Sequence, residues 1–161
     1  MSQLFSHLDF SNRIIAAIKE ATGLDTVYAD SNDKRPPFPY FAIASFKPHD
    51  PVTIDVVENE VFLTGIQIES HSQSPYEAQD NLEAVRKVLF RDDVLSEFSK
   101  ANMRPYTMDG VVDNTVLADQ TQDYNYLFTI TYIVRDSYVV SDQYKPQITQ
   151  TDIKEDKERD A

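Results

Sequence analysis

The sequence predicts an α+β domain, a mostly antiparallel β-sheet with two main α-helices packed on one face. Three observations lead there. The predicted element order is α-β-β-β-β-α-β-β-β, with too few helices to cross over every strand pair, so most neighbours must run antiparallel. Two long segments, Val61–His71 and Tyr124–Val134, alternate apolar and polar residues, as strands with one buried face do. Between them, S-P-Y-E at 74–77 opens an amphipathic helix with an unambiguous start signal.

Taken in order, residues 9–22 form the first helix. Phe10, Ile14, Ile18 and Ala21 recur at three- and four-residue steps, with Ile15 and Thr22 beside them. Asp9 or Ser11 can cap its start, and Gly23 suits the left-handed position that ends it. A short strand, Thr26–Ala29, leads into the polar loop DSNDKRPP. Tyr40–Phe46 is an apolar strand free of breakers, and Val52–Val57 is a β-branched run expected to form another. V-E-N-E-V at 57–61 supplies a turn. In Val61–His71, Phe62, Thr64, Ile66 and Ile68 share one face; Gln67, Glu69 and His71 share the other. Ser74 then caps the second helix, Pro75 takes its first position and Glu77 completes a capping box. Ala78, Leu82, Val85 and Leu89 make its inward stripe, and Asp93–Ser99 adds a short helical turn. Strands at Met103–Met108, Asn114–Ala118 and Tyr124–Val134 close the domain, with Phe128, Ile130, Tyr132 and Val134 facing the core. Residues 1–140 thus make one domain, and the charged, non-periodic run 141–161 reads as a disordered tail.

Charge and composition narrow the function classes. The chain of 161 residues carries 27 acids against 15 Lys and Arg, a formal charge of −12. No Lys or Arg occurs from Pro48 to Val85, nor from Pro105 to Val134. A nucleic-acid binder needs basic stripes to displace phosphate counterions, and these stretches would repel a phosphate backbone instead. With no cysteine, disulfides and thiol catalysis are out of reach. No apolar run is long enough for a transmembrane helix, and the start, MSQLFSHLDF, lacks the pattern of a secretory signal.

Motifs of chemistry are sparse. Three glycines, Gly23, Gly65 and Gly110, cannot build a phosphate loop, a dinucleotide fingerprint or a nucleophile elbow. None of His7, His49 and His71 has metal-ligand spacing to another histidine. Glu69 and His71, two apart on one strand face, could bind a metal or move a proton. D-S-N-D-K-R at 30–35 begins like a calcium loop but puts Lys34 and Arg35 where an oxygen ligand and a turn glycine belong. The stretch KRPPFPYFAIASF, 34–46, holds three prolines and four aromatics. Its P-x-x-P could mimic a polyproline ligand, but Pro39 leads straight into a buried strand, so it reads as a strand entry. Pro36, Pro37 and Phe38 remain as a stiff apolar loop suited to an interface.

Three blocks in order carry a resemblance: RPPFPYFAIASFKP (35–48), FLTGIQIESHSQSPYEAQDNLEAVRKVLF (62–90) and VDNTVLADQTQDYNYLFTITYIV (112–134). With the first helix they span about 1–138, and the chain resembles the neck or tail terminator proteins of long-tailed bacteriophages, especially those of low-GC Gram-positive hosts. The resemblance implies a structural virion protein, assembled in the host cytoplasm, whose copies form a ring, expected to be a hexamer. That ring would cap the tail tube, stop its polymerisation and present a surface to the head-side connector or stopper, while DNA passes through unbound. No catalytic residue, metal, cofactor or membrane contact is implied. On this reading Pro36, Pro37, Phe38, Asp55, Glu58 and Glu60 are candidates for subunit contacts. Asp50, Asp109, Asp113, Asp119 and Asp123 are candidates to face the lumen, with the acids of 55–60 able to join them. Three alternatives stay open: a head-completion or stopper connector, a small metal-dependent enzyme using Glu69 and His71, and a ligand-sensing α+β module.

Overall fold

The second helix begins where its sequence says it should. Ser74 Oγ accepts a hydrogen bond from the Glu77 amide at 3.4 Å, with Pro75 in the first turn. The return half of the capping box runs through a third residue. Ser72 Oγ donates to the Glu77 carboxylate at 3.0 Å and accepts from the Ser74 amide at 3.1 Å, so strand end and helix start are laced together. In the computed structural model, which describes residues 3–54, 56–118 and 121–146, the chain runs through three helices and seven strands. These are α1 (His7–Thr22), β1 (Thr26–Tyr28), β2 (Tyr40–Pro51), β3 (Val61–Ser72), α2 (Pro75–Leu89), α3 (Asp92–Lys100), β4 (Met103–Met108), β5 (Val112–Asp113), β6 (Val116–Ala118) and β7 (Thr121–Arg135).

The sheet order is β1-β2-β3-β7-β4, and β5 and β6 also pair with β7. All pairings are antiparallel except β1 with β2. The α+β class and the mostly antiparallel sheet are as the sequence predicts. One face is the core: Phe41, Ile43, Phe62, Ile66, Ile68, Phe128, Ile130, Tyr132 and Val134 meet Phe10, Ile14 and Ile18 of α1, Leu82, Val85 and Leu89 of α2 and Phe98 of α3.

Three local expectations are corrected. The cap of α1 is Ser6, not Asp9 or Ser11: its Oγ accepts the Asp9 amide at 3.1 Å. Phe5 just before it packs 6.1 Å from Phe10 and 5.2 Å from Phe62, a hydrophobic staple that extends the helix backwards. None of the described residues of 52–57 lies in a strand. The β2–β3 ladder ends at Pro51↔Phe62, so this β-branched run projects past the strand that could pair with it. β2 instead reaches Pro51 through two register shifts near Lys47. The strand expected at 114–118 is shortened to β6; β5 precedes it at Val112–Asp113, and between them the Asp113 carboxylate accepts the Thr115 amide at 3.0 Å. Beyond residue 140, Asp142–Tyr144 forms a 3₁₀ turn, and the remainder of the tail, from 147, lies outside the described residues.

Candidate functional site

The Glu69–His71 pair suggested by spacing does meet, and a third group joins it. His71 Nε2 lies 3.1 Å from the Glu69 carboxylate and Nδ1 2.9 Å from that of Asp123. The ring stacks on Tyr40 with centroids 4.7 Å apart. Glu69 also accepts from Gln67 at 2.5 Å and Asn125 at 3.4 Å. Burial of the imidazole disfavours its charge, but the two carboxylates outweigh that and hold its pKa above the ordinary value. The hydrogen bond from His71 leads in pulling the Glu69 pKa below its usual value, against its burial. When the ring is protonated, each imidazole nitrogen donates to one carboxylate and the cation is held between two acids. Among the described residues, no group of three or more His, Asp or Glu is arranged to hold a metal ion. The arrangement ties β3 to the start of β7.

The interface candidates fall at two ends of the sheet. Pro36 and Phe38 are half-buried and Pro37 is exposed. Phe38 rests 5.5 Å from Tyr40, which in turn stacks on His71, so this loop caps the end where β2 begins. Glu58 and Glu60 sit at the other end. Glu58 accepts the Val140 amide at 2.8 Å and lies 3.7 Å from Lys145; Glu60 meets His49 at 3.0 Å. Both groups nonetheless lie on the β2 side of the sheet. Asp55 is outside the described residues, between Ile54, which is 87% exposed, and Val56.

The lumen candidates are divided in the same way. Asp50, half-buried and 3.2 Å from Lys47, belongs to the Glu58 end. Asp109 and Asp113 are exposed and lie towards the other end, beside Thr129 and Tyr126. Asp123 is committed to His71. Asp119 lies outside the described residues. These acids do not gather into one patch on a single subunit.

The sequence match falls on this same framework. The chain matches the family model described as phage neck terminator protein over residues 12–157. It belongs to that family. The match makes this neck terminator a structural protein of the phage tail and neck, in agreement with the three blocks read from the sequence. It also runs through residues 141–157, which the sequence blocks leave unmatched. No curated protein matches the chain.

Two features of the neck terminator have no counterpart in the sequence reading. Phe46, at a bulge of β2, folds over Gly65, where an added Cβ would lie 3.0 Å from its ring. At the opposite flank, an open groove of about 480 Å³ runs between α3 and β4, lined by Phe90, Leu95, Ser96, Ser99, Arg104 and Pro105, with Asp92 its one acid. Both are contacts across sequence, so no local pattern announces them.

Proposed function

We propose that this protein forms a ring, expected to be hexameric, that caps the phage tail tube, ends its polymerisation and offers the head-side connector a surface to join. The family match over most of the chain carries this reading. The physical chemistry supports it. The folded subunit has different flanks, with β2 on one side and β4 on the other, as head-to-tail contacts in a closed ring require. The Glu69–His71–Asp123 cluster spends both imidazole nitrogens on internal contacts with carboxylates, which favours a structural over a catalytic role. DNA passes through the ring without specific binding, because an excess of acids leaves little to attract phosphate.

The subunit contacts on the β2 side are drawn from Pro36, Pro37, Phe38, Asp55, Glu58 and Glu60. The lumen wall is drawn from Asp50, Asp109, Asp113 and Asp119, with Asp123 contributing least because His71 neutralises it. Electron microscopy of the purified protein at high concentration tests the reading. Rings of tail-tube width support it, and a structure of the ring with all these acids on the outer wall overturns the lumen assignment.

A further inference from the structure

We propose that the two flanks of the subunit are complementary halves of one contact, with the β2–β3 loop of one copy seated on the α3–β4 groove of the next. This rests on the ring reading above and names the surfaces that close it.

The loop is the more exposed apolar element. Val52, Ile54, Val56 and Val57 are all exposed, and Ile54 is 87% so. Thr53 is exposed with them, so the described residues of 52–57 turn a mostly β-branched run to water where β2 ends. This end is net acidic: Asp50, Asp55, Glu58 and Glu60 outnumber the cations that meet them, Lys47 at Asp50 and Lys145 at Glu58, with His49 beside Glu60. Its base is braced: the Asn59 amide donates to Tyr138 O at 3.0 Å, and the Glu60 amide to Asp136 at 3.1 Å.

The groove answers in both respects. Phe90, Leu95 and Pro105 give it an apolar floor, and Arg104 borders it. Arg104 and Arg135 flank an adjoining hollow. Neither guanidinium has a carboxylate partner among the described residues, whereas Arg13, Lys47, Arg86, Arg91 and Lys100 each hold one. Arg35 also lacks an acid but spends its guanidinium on the Tyr28 and Ala29 carbonyls, so among the described residues Arg104 and Arg135 are the arginines on this flank left to receive acids from a neighbour.

Topology puts the two surfaces where a ring needs them. β1 pairs with β2 only at 41–43, so from Ser45 onwards β2 is itself the edge. β4 is the opposite edge. Pro51↔Phe62, Phe62↔Val134 and Met103↔Val134 lie on one level, so loop and groove share the same end of the sheet. They are separated by the width of β3 and β7, roughly 14 Å at the usual strand spacing. Opposite flanks make a heterologous contact, which yields a ring when the rotation between neighbours closes, rather than a two-fold dimer.

The chain has no cysteine, so a designed pair reports without background. Ile54 and Ser96 are both exposed, and replacing them leaves the core untouched. Full-length protein carrying Ile54→Cys and Ser96→Cys, treated with a short bis-maleimide, is expected to give a ladder of covalent oligomers on denaturing gels. Either single variant gives monomer. Adding Arg104→Glu to the pair should lower the ladder by about tenfold or more, since it sets like charges face to face. Light scattering on the same samples separates two failures. An oligomer in solution without a ladder overturns the proposed surfaces and leaves the ring standing. Protein that is monomeric alone and absent from the ends of tail tubes overturns the ring and this contact with it.

Discussion

Replacing His71 with glutamine removes the one cation between Glu69 and Asp123 while keeping a hydrogen-bond donor. Breaking a buried ion pair from one side costs about 3–5 kcal/mol, because the surviving charge is left uncompensated. Here the cost falls to the bottom of that range or just below it. Gln67 and Asn125 still donate to Glu69, and the Asp123 side chain is 32% exposed and can be rescued by water. The expected loss is about 2–3 kcal/mol, or about 5–10 °C in the unfolding midpoint. The pH dependence is the sharper test. A histidine whose folded pKa is raised contributes stability that is full below its unfolded value, about 6.5, and fades as pH rises through the folded value. Glu69, with a lowered pKa, contributes above its ordinary value, about 4.3, and loses that contribution only as pH falls through the depressed one. The gap between wild type and His71→Gln should therefore be widest between about pH 4.5 and 6.5 and shrink in alkali. Thermal unfolding followed by circular dichroism from pH 5 to 10 measures it. A gap that stays constant or widens above pH 7 would refute the cationic clamp.

Three further outcomes follow from other parts of the fold. The Tyr132 hydroxyl is fully buried without a hydrogen-bond partner among the described residues, so Tyr132→Phe should raise stability by about 1 kcal/mol in chemical denaturation; a loss would show that the hydroxyl is bonded. Ser72→Ala should destabilise by about 1 kcal/mol, since it removes both the Ser74 amide's acceptor and a donor to Glu77, and equal midpoints would contradict the laced capping box. Phe38→Asp should shift the oligomer towards monomer on a sizing column without a change in circular dichroism, and an unchanged oligomer removes Phe38 from the contact.

How much was legible depended on whether a feature is local. Ser74, Pro75 and Glu77 act within one turn, so the start of α2 is written in four residues. The faces of β3 and β7 follow from strict alternation, and the core takes Phe62, Ile66, Ile68, Phe128, Ile130, Tyr132 and Val134 as the pattern requires. Ser6 was missed because its advantage comes from Phe5, whose staple is fixed by Phe62 across the core. Val52–Val57 has strand composition, but a strand exists only where a neighbour's ladder reaches, and β3 begins too late. The Glu69–His71 pair was visible two residues apart. Asp123, 52 residues away from His71, became visible only once β7 was laid beside β3. The α3–β4 groove and the unpaired Arg104 and Arg135 belong to surfaces assembled from separate elements, and no spacing could have shown them.

The central claim, that a ring of this protein ends tail-tube growth, is tested most directly by polymerising the tail tube protein of the same phage with and without it. The account predicts that substoichiometric amounts leave tubes of limited length, each with a ring at one end in electron micrographs. Tubes that grow to the same length in its presence, with bare ends, would contradict it.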